Sequence, residues 1–269
     1  MHHFYCFATK RFSTWALSLC LVLLSAVFGT AAAQRVTYNL VSVYNFQEGS
    51  GSVVHDVSGN TPIDLTIQHP GNVTWLSGGG LRVNTGTIIK SSGAATRMHQ
   101  ALNASGEFSF EAWVKPDNAS QAGPSRIATM SSNTSNRNFM LGQDGSNYIF
   151  RSRTTSGGDS NGLPQISANP SVVNLQHVVY TWNAGTEKLY INGQLKYTGT
   201  RNGNLTNWNS SYAFALCNEM TLDRAWLGDL HLVAVYCQEL DLNEVNQNFN
   251  EGPGIDYGNP TLDEACNLT

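Results

Sequence analysis

The chain contains 269 residues, of which 41% are hydrophobic, 13% charged and 10% aromatic, and its formal net charge is −4. This length is enough to bury a full hydrophobic core. The charged fraction lies well below the roughly 25% of an average globular chain, which excludes coiled coils and charged helical bundles. The slightly acidic balance argues against nucleic acid as a partner. Many Thr, Ser, Val, Tyr, Asn and Gly residues predict an all-β protein with many turns.

The segment 1–33 has the pattern of an export signal. Lys10 and Arg11 form a basic start, an apolar run follows over residues 15–28, and small residues lead up to Ala33. The apolar run is shorter than the roughly 20 residues that span a bilayer. We therefore interpret the segment as a cleaved signal peptide rather than a membrane anchor. No second apolar run follows, so we expect a secreted protein that acts outside the cell or at the cell surface, without a membrane span.

After this segment the apolar residues alternate as they do in strands. The strand-like runs are Leu40–Phe46, Phe108–Val114, Tyr148–Arg151, His177–Trp182, Lys188–Ile191, Gln194–Tyr197, Tyr212–Cys217 and Trp226–Cys237. Asn192-Gly193 between two such runs predicts a type I′ hairpin, because both turn residues need positive φ. Asp241–Asn248 is the one predicted helix, with Asp241 as N-cap and Glu244 as its capping-box partner. Short turns without strand–helix alternation predict an antiparallel two-sheet sandwich or jelly roll.

The mature chain keeps three cysteines, Cys217, Cys237 and Cys266, so at most one internal disulfide can form. If the last two long strands pair around the turn at residues 221–223, Cys217 lies opposite a residue near Gly228 and far from Cys237. We therefore predict a disulfide between Cys237 and Cys266 that pins the C-terminal tail, and a buried free thiol at Cys217.

Several of these segments together resemble the bacterial laminin-G-like domains of the concanavalin A-like superfamily. The matching segments are Tyr44–Gly51 with Asp56–Gly59, Phe110–Pro116, Gln176–Trp182 with Leu189–Gly193, and Trp226–Tyr236 with Leu240 and Glu244. The resemblance implies one jelly-roll β-sandwich domain over residues 34–252, with one short C-terminal helix, followed by a tail at 253–269. Lectins, glycan-binding modules, glycosidases and adhesion domains share this fold, so the resemblance leaves the function open.

A glycosidase would need two carboxylates about 5–5.5 Å apart in a groove. Laminarinase-like enzymes of this fold carry a Glu-x-Asp-x-(x)-Glu strand, and the segment Glu239–Glu244 is superficially similar to it. This segment follows the last strand and caps the predicted helix, so we expect no sheet groove beneath it. Glu111 and His177 lie in predicted strands and are assigned to the sandwich itself. We therefore assign no catalytic residue and keep a jelly-roll glycosidase or lyase as an alternative.

Calcium is the one cofactor that the resemblance implies, because related domains often hold a structural Ca²⁺ ion through oxygen ligands. Asp56 is the best side-chain candidate here, and an Asx turn is the competing interpretation. The closing strand of the family often carries an Asp where this chain has His231, which is unsuited to calcium. Asp229, two residues earlier, is the substitute candidate.

Glycan binding would need aromatic rings to stack on sugars, with polar side chains nearby to bind hydroxyls. Trp208, in a polar loop, is the best exposed candidate, and Tyr148 is the second, with Asn147 beside it. Arg151, from the arginine-rich stretch 137–153, supplies donors on one sheet face. The competing interpretation is that Trp208 packs a loop and the arginines are solvated. Four tryptophans in strand-like surroundings are assigned to the core or a sheet face: Trp75, Trp113, Trp182 and Trp226.

The sequence therefore predicts an exported, non-catalytic module that binds carbohydrate on a polysaccharide or a surface glycoprotein. The alternative is a protein–protein or adhesion module of a surface assembly that uses the same sandwich without a sugar site.

Overall fold

The computed structural model describes residues 1–2, 34–157 and 159–254. Almost all of the expected signal peptide, most of the C-terminal tail and Cys266 lie outside the described residues. The proposed signal peptide and the Cys237–Cys266 disulfide therefore stay predictions.

The described residues begin with short elements. They are β1 (Leu40–Tyr44), β2 (Val53–Val54), β3 (Leu65–Ile67), a 3-10 turn (Pro70–Asn72), β4 (Val73–Trp75), β5 (Leu81–Val83), β6 (Ile89–Ser91) and α1 (Thr96–Ser105). Longer elements follow. They are β7 (Glu107–Pro116), β8 (Gln121–Asn133), β9 (Asn136–Gly145), β10 (Asn147–Ser152), β11 (Ile166–Ala168), β12 (Gln176–Asn183), β13 (Gly185–Ile191), β14 (Gln194–Arg201), β15 (Ala213–Leu216), β16 (Gly228–Tyr236) and α2 (Leu242–Glu251).

These strands form two antiparallel sheets, which confirms the predicted all-β sandwich. Sheet I has the order β14-β13-β12-β7-β16-β5-β4, and β1 also pairs with β16. Sheet II has the order β11-β10-β9-β8-β15-β6-β3-β2. The main core lies between the sheets, where alternate residues of β7 such as Phe108 and Phe110 meet Phe139 of sheet II at ring distances of 5.9 and 5.8 Å.

The outer face of sheet I is also buried, because α2 and the segment before β1 cover it. Trp113 of β7 stacks on Phe249 of α2 with their ring centroids 5.8 Å apart. Val36, Tyr236 and Val245 belong to the same hydrophobic cluster. Sheet I therefore presents neither of its central faces to solvent, whereas neither of the two described helices covers the outer face of sheet II.

A buried carboxylate lies at the centre of this covered face. Oε1 of Glu111 on β7 pairs with the guanidinium of Arg35 and lies 2.9 Å from Nε2 of His177. Oε2 accepts hydrogen bonds from the Tyr236 hydroxyl at 3.1 Å and the Asn248 amide at 2.8 Å. Burial alone would raise the pKa of Glu111, but the Arg35 charge and the His177 contact outweigh it and lower that pKa to about 2.

Two local predictions are confirmed in detail. Asn192 and Gly193 have φ values of 52° and 73° and join β13 to β14, as a type I′ hairpin requires. The Glu244 amide donates to Asp241 Oδ1 at 2.9 Å, and the Asp241 amide donates to Glu244 Oε2 at 2.7 Å, so the capping box of α2 is complete.

Helix α1 was missed by the sequence analysis. Its N-cap is Ala95, which has no side-chain cap, and its first turn contains no acidic residue. The usual start signals of a helix are therefore absent. The helix is held instead by packing, since Met98, Ala101 and Leu102 are buried on one face. The long hairpin of β8 and β9 was also missed, because its Ser- and Asn-rich strands contain several register shifts that break the alternating pattern.

The assumed pairing of the last two long strands is wrong. β15 pairs with β6 and β8 in sheet II, whereas β16 lies in sheet I. Cys217 is nevertheless a buried free thiol, as expected, and its burial raises the pKa of that thiol.

The substitution Glu111→Gln should destabilise the fold by about 3–5 kcal/mol, because it leaves the buried Arg35 guanidinium without its carboxylate. Since the folded-state pKa of Glu111 is lowered, its contribution is present above the ordinary value of 4.5 and is lost as the pH falls towards about 2. Denaturant unfolding at several pH values should therefore show a smaller loss of stability on acidification in the variant. Glu251→Gln, at the end of α2, is the matched control and should behave like the wild type.

Candidate functional site

Trp208 is buried, which corrects the prediction that it is an exposed stacking platform. Its side chain is only 5% exposed, and its ring centroid lies 5.4 Å from that of Phe108 and 5.7 Å from that of Phe139. The indole Nε1 donates to the Arg153 carbonyl at 2.6 Å. The polar residues around Trp208 cover the outside of the loop, while the ring itself completes the main core. No face of this ring remains for a sugar.

Tyr148 is also buried, so its predicted role as a second platform is corrected as well. It points inward from β10, is 0% exposed, and its hydroxyl donates to Gln176 Oε1 at 2.8 Å. Burial raises the pKa of this hydroxyl above its ordinary value. The reason is the alternation of β10: Tyr148 and Phe150 face the core, whereas Asn147 and Arg151 face outward.

Asn147 and Arg151 thus lie on one face, the outer face of sheet II, and both are partly exposed. Asn147 lines a polar cavity of about 340 Å³ together with Ser167, Ala168, Asn169 and Lys196. The Arg151 guanidinium donates to Gln165 Oε1 at 2.7 and 3.0 Å and to Asn161 Oδ1 at 2.9 Å. The structure therefore brings two of the four predicted binding residues together on one surface.

Asp56 forms an Asx turn, and its oxygens have little capacity left for a metal. Oδ1 accepts from the amides of Val43 and Ser58, each at 3.1 Å. Oδ2 accepts from the Ile63 amide and from Arg97 Nη2, each also at 3.1 Å. Four hydrogen-bond donors, one of them the cationic Arg97, occupy the carboxylate oxygens that would bind the calcium ion that the resemblance implied.

Asp229 does not fit a calcium site either. Its carboxylate pairs with Arg82 at 2.8 Å and lies 3.8 Å from the Lys115 ammonium. Two cations at this distance repel a divalent ion. Among the described residues there is no group of three or more His, Cys, Asp or Glu side chains placed to hold a metal. The structural calcium ion stays a prediction, and in the structure both of its named side-chain ligands are engaged by basic side chains.

A groove that the sequence analysis did not single out lies at the edge of sheet I. We call it the Trp75 groove; it has a volume of about 420 Å³ and is lined by Phe46, Gln47, Gly49, Trp75, Leu76, Ser77, Gly78 and Gly79. Trp75, at the end of β4, is partly exposed, and its Nε1 donates to the Gly51 carbonyl at 3.1 Å. Gln47 is exposed and offers its side-chain amide to the same space.

The glycine loop after Trp75 shapes this groove. Gly79 has a φ of 96°, and a Cβ there would lie 2.0 Å from Nε2 of Gln47. Gly80 has a φ of 116°, and its amide donates to the Phe46 carbonyl at 2.9 Å. Only glycine fits this backbone without strain. The run of three glycines that begins three residues after Trp75 was the available sequence signal.

The Trp75 groove is uncharged. None of its eight lining residues is ionisable. His231 lies beneath the loop, where a Cβ on Gly80 would come within 2.9 Å of its Nδ1. Burial lowers the pKa of His231 below 6.5, although Asp229 opposes the shift, so its imidazole is neutral at pH 7. The groove therefore suits a neutral polar ligand.

Every buried carboxylate of the described chain has an arginine of its own. The pairs are Asp56–Arg97, Glu111–Arg35, Glu187–Arg201, Glu219–Arg126 and Asp229–Arg82. For Glu111, burial raises the pKa but Arg35 and His177 outweigh it and lower it to about 2, so this carboxylate stays ionised and cannot act as a general acid near neutral pH. Neither described helix has the length and apolar character needed to cross a lipid bilayer.

Replacement of Trp208 by Ala should destabilise the fold by about 3–5 kcal/mol, because it opens a cavity beside Phe108 and Phe139. Thermal unfolding measures this effect. A Trp208→Ala protein of wild-type stability would contradict the buried position, whereas an effect on ligand binding alone would restore the exposed platform.

Asp56→Ala should lower the melting temperature by the same amount in EDTA as in millimolar calcium, because the carboxylate binds amides and Arg97 rather than a metal. Wild-type protein should melt at one temperature in both buffers. A calcium-dependent melting temperature that disappears in Asp56→Ala would show that this side chain is a ligand after all.

The comparisons with known proteins agree with this architecture. The model of the Laminin_G_3 family of the concanavalin A-like lectin/glucanases superfamily matches residues 89–246. No curated protein sequence matches the chain.

Three solved structures illustrate the similarity of fold. The binding domain of botulinum neurotoxin DC, in complex with rat synaptotagmin II, is 17% identical with a TM-score of 0.57, over 80% of this chain and 52% of that one. Domain 4 of AbnA, a GH43 extracellular arabinanase from Geobacillus stearothermophilus in complex with arabinotriose, is 19% identical with a TM-score of 0.54, over 77% and 97%. Trypanosoma rangeli sialidase is 16% identical with a TM-score of 0.59, over 81% and 34%.

This chain thus spans about half of the neurotoxin domain and about a third of the sialidase, and these identities show the fold alone. The family match covers more than half of the sequence and includes both sheets. The chain belongs to the Laminin_G_3 family of the concanavalin A-like lectin/glucanases superfamily.

Proposed function

We propose that the protein is a non-catalytic module that acts outside the cell and binds a neutral carbohydrate in the Trp75 groove. The observation that carries this proposal is a partly exposed indole in a groove of about 420 Å³. The carbohydrate belongs to a polysaccharide or to the glycan of a surface glycoprotein.

The groove combines the two kinds of contact that sugars require. A pyranose or furanose ring has an apolar face that stacks on an aromatic ring, and its hydroxyls need hydrogen-bond partners. Trp75 supplies the ring, and its bond to the Gly51 carbonyl holds the indole in place before a ligand arrives. The Gln47 amide and the main chain of the glycine loop supply donors and acceptors. The absence of ionisable groups among the lining residues favours a neutral sugar.

A solved neighbour supports the ligand class. Domain 4 of the Geobacillus stearothermophilus arabinanase holds arabinotriose, and it matches this chain over 97% of its own length. At 19% identity this supports a saccharide as a ligand that the fold accommodates. The nature of the sugar is argued from the groove.

The arrangement of the carboxylates supports a non-catalytic role. The buried ones are paired with arginines, as described above. In the segment that resembled a glucanase motif, Glu239 binds Lys188 at 2.6 Å, while Asp241 and Glu244 bind each other's backbone in the capping box. This segment caps α2 and places no pair of free carboxylates in a groove.

Trp75→Ala should weaken binding of a neutral polysaccharide at least tenfold, because truncation of a central aromatic contact costs about 2 kcal/mol or more. Affinity electrophoresis against a panel of neutral polysaccharides, followed by calorimetry with arabinotriose, measures the effect. Trp75→Phe keeps a smaller ring and should retain part of the affinity.

Tyr38→Ala is the matched control, since Tyr38 is 44% exposed and lies outside the groove. If the Tyr38 and Trp75 variants bind equally well, the groove is not the site. If the wild-type protein binds no saccharide in the panel, the adhesion alternative takes the place of this proposal. Release of reducing sugar by the wild type would overturn the non-catalytic role.

A further inference from the structure

One buried arginine breaks the pairing rule of this protein. The guanidinium of Arg137, on β9, is 0% exposed, yet no carboxylate is its own. The nearest is Glu219, whose Oε2 lies 3.8 Å from Arg137 Nη2 but 2.9 Å from Arg126 Nε. The other oxygen of Glu219 accepts from the Ser131 hydroxyl and the Met220 amide. Oε1 of Glu219 is therefore used by two other donors, and Oε2 is shared between Arg126 and Arg137, with Arg126 much the closer.

The remaining contacts of Arg137 do not neutralise its charge. Its Nη2 donates to the Thr134 carbonyl, its Nη1 lies 3.0 Å from the Met140 sulfur, and its buried Nε has no hydrogen-bond partner. A sulfur is a weak acceptor. Burying a cation with an unpaired N–H group is costly, and Arg137 leaves uncompensated positive charge in this region.

Arg151 places a second guanidinium without a carboxylate partner near Arg137. It lies on β10 directly opposite Met140 of β9, so both face outward from sheet II. It donates to the neutral amide oxygens of Gln165 and Asn161, and no carboxylate of the described chain lies within 4.0 Å of it. Because Arg151 is partly exposed, this arginine pair reaches from the interior to solvent.

The pKa shifts of the two arginines also indicate an excess of positive charge in this region. Burial and the charges of Arg126 and Arg151 together lower the pKa of Arg137 to about 9, while Glu219 and Asp159 oppose the shift. Burial and Arg126 also lower the pKa of Arg151, against Asp144 and Asp159. An anionic group bound to Arg151 would offset this positive charge through charge-assisted hydrogen bonds.

The surface beside the arginine pair is suited to a saccharide. Asn147 lies four residues from Arg151 on the same face of β10, about 13 Å along the strand. It opens onto the cavity of about 340 Å³ that also has Ser167, Asn169 and Lys196 in its wall. Amides, a hydroxyl and an ammonium group in this arrangement bind hydroxyls and acidic groups.

We propose that Arg151, with the positive charge of the buried Arg137 behind it, binds the carboxylate or sulfate group of an acidic saccharide on the outer face of sheet II. This is a second site, on the sheet opposite the Trp75 groove. The anion site stands on the arginine contacts alone, and the saccharide as its carrier rests on the proposed carbohydrate-binding function.

The test compares acidic polysaccharides with matched neutral ones. Dextran sulfate with dextran, and polygalacturonate with its methyl ester, differ only in the acidic group. We expect the wild type to bind the acidic member of at least one pair, with an affinity that falls as NaCl is raised. A net charge of −4 makes non-specific attraction to polyanions unfavourable.

Arg151→Gln should weaken this binding at least tenfold and leave binding in the Trp75 groove unchanged, while Trp75→Ala should do the reverse. Lys188→Gln removes the same charge from sheet I and should have no effect. Equal binding by wild type and Arg151→Gln would overturn the proposal. If sodium sulfate alone protects the wild type against thermal unfolding more than Arg151→Gln, but no acidic polysaccharide binds, the saccharide is overturned and the anion site stands.

Stability separates an electrostatic role of Arg137 in binding from a structural one. Arg137→Gln should lower the melting temperature much less than Arg126→Gln, because only the latter leaves Glu219 without its main partner. Arg137→Gln should still weaken binding of the acidic polysaccharide. If Arg137→Gln unfolds the protein as Arg126→Gln does, Arg137 is a structural residue and the proposal fails for it.

Discussion

The buried carboxylate of Glu111 holds together parts of the chain that are far apart in sequence. Its four donors come from the segment before β1, from β12, from β16 and from α2. A single ionised group in the middle of sheet I is stable there only if all four stay in place, because an unpaired buried charge costs several kcal/mol. The network therefore docks α2 and closes the outer face of sheet I. This closure leaves the sheet edges and the outer face of sheet II as the surfaces where we propose ligand binding.

The same physical rule extends through the molecule. Only 13% of the residues are charged, yet five arginines form ion pairs with buried carboxylates. Buried ion pairs add little net stability compared with apolar residues, but they specify which strands and loops meet. A buried arginine without such a partner is the exception in this pattern. Arg137 is that exception, and Arg151 beside it contacts only neutral oxygens. The incompletely compensated positive charge therefore lies next to an accessible surface.

The Trp75 groove and the arginine pair illustrate how one fold presents surfaces of different chemistry. The sandwich supplies two rigid sheets, and the chemistry lies at the places where a loop or an outward-facing row adds side chains to them. The groove offers an indole and amides without charge, whereas the outer face of sheet II offers cations without carboxylates. The solved neighbours of this fold include a neurotoxin binding domain, an arabinanase domain and a sialidase.

Local features of this protein were determined by the sequence alone. The all-β sandwich, the Asn192-Gly193 hairpin and the capping box of α2 follow from alternation, positive φ and side-chain capping, which act between neighbours in the chain. Helix α1 was not predicted from the sequence, because packing of Met98 and Leu102 holds it rather than a cap. The residues available for the candidate site were decided by the tertiary structure: Trp208 and Tyr148 turn into the core, Asp56 meets Arg97, and Trp75 remains at an open edge. Whether an aromatic ring is buried or a carboxylate is paired depends on residues distant in sequence, and only the folded arrangement of the two sheets brings those residues together.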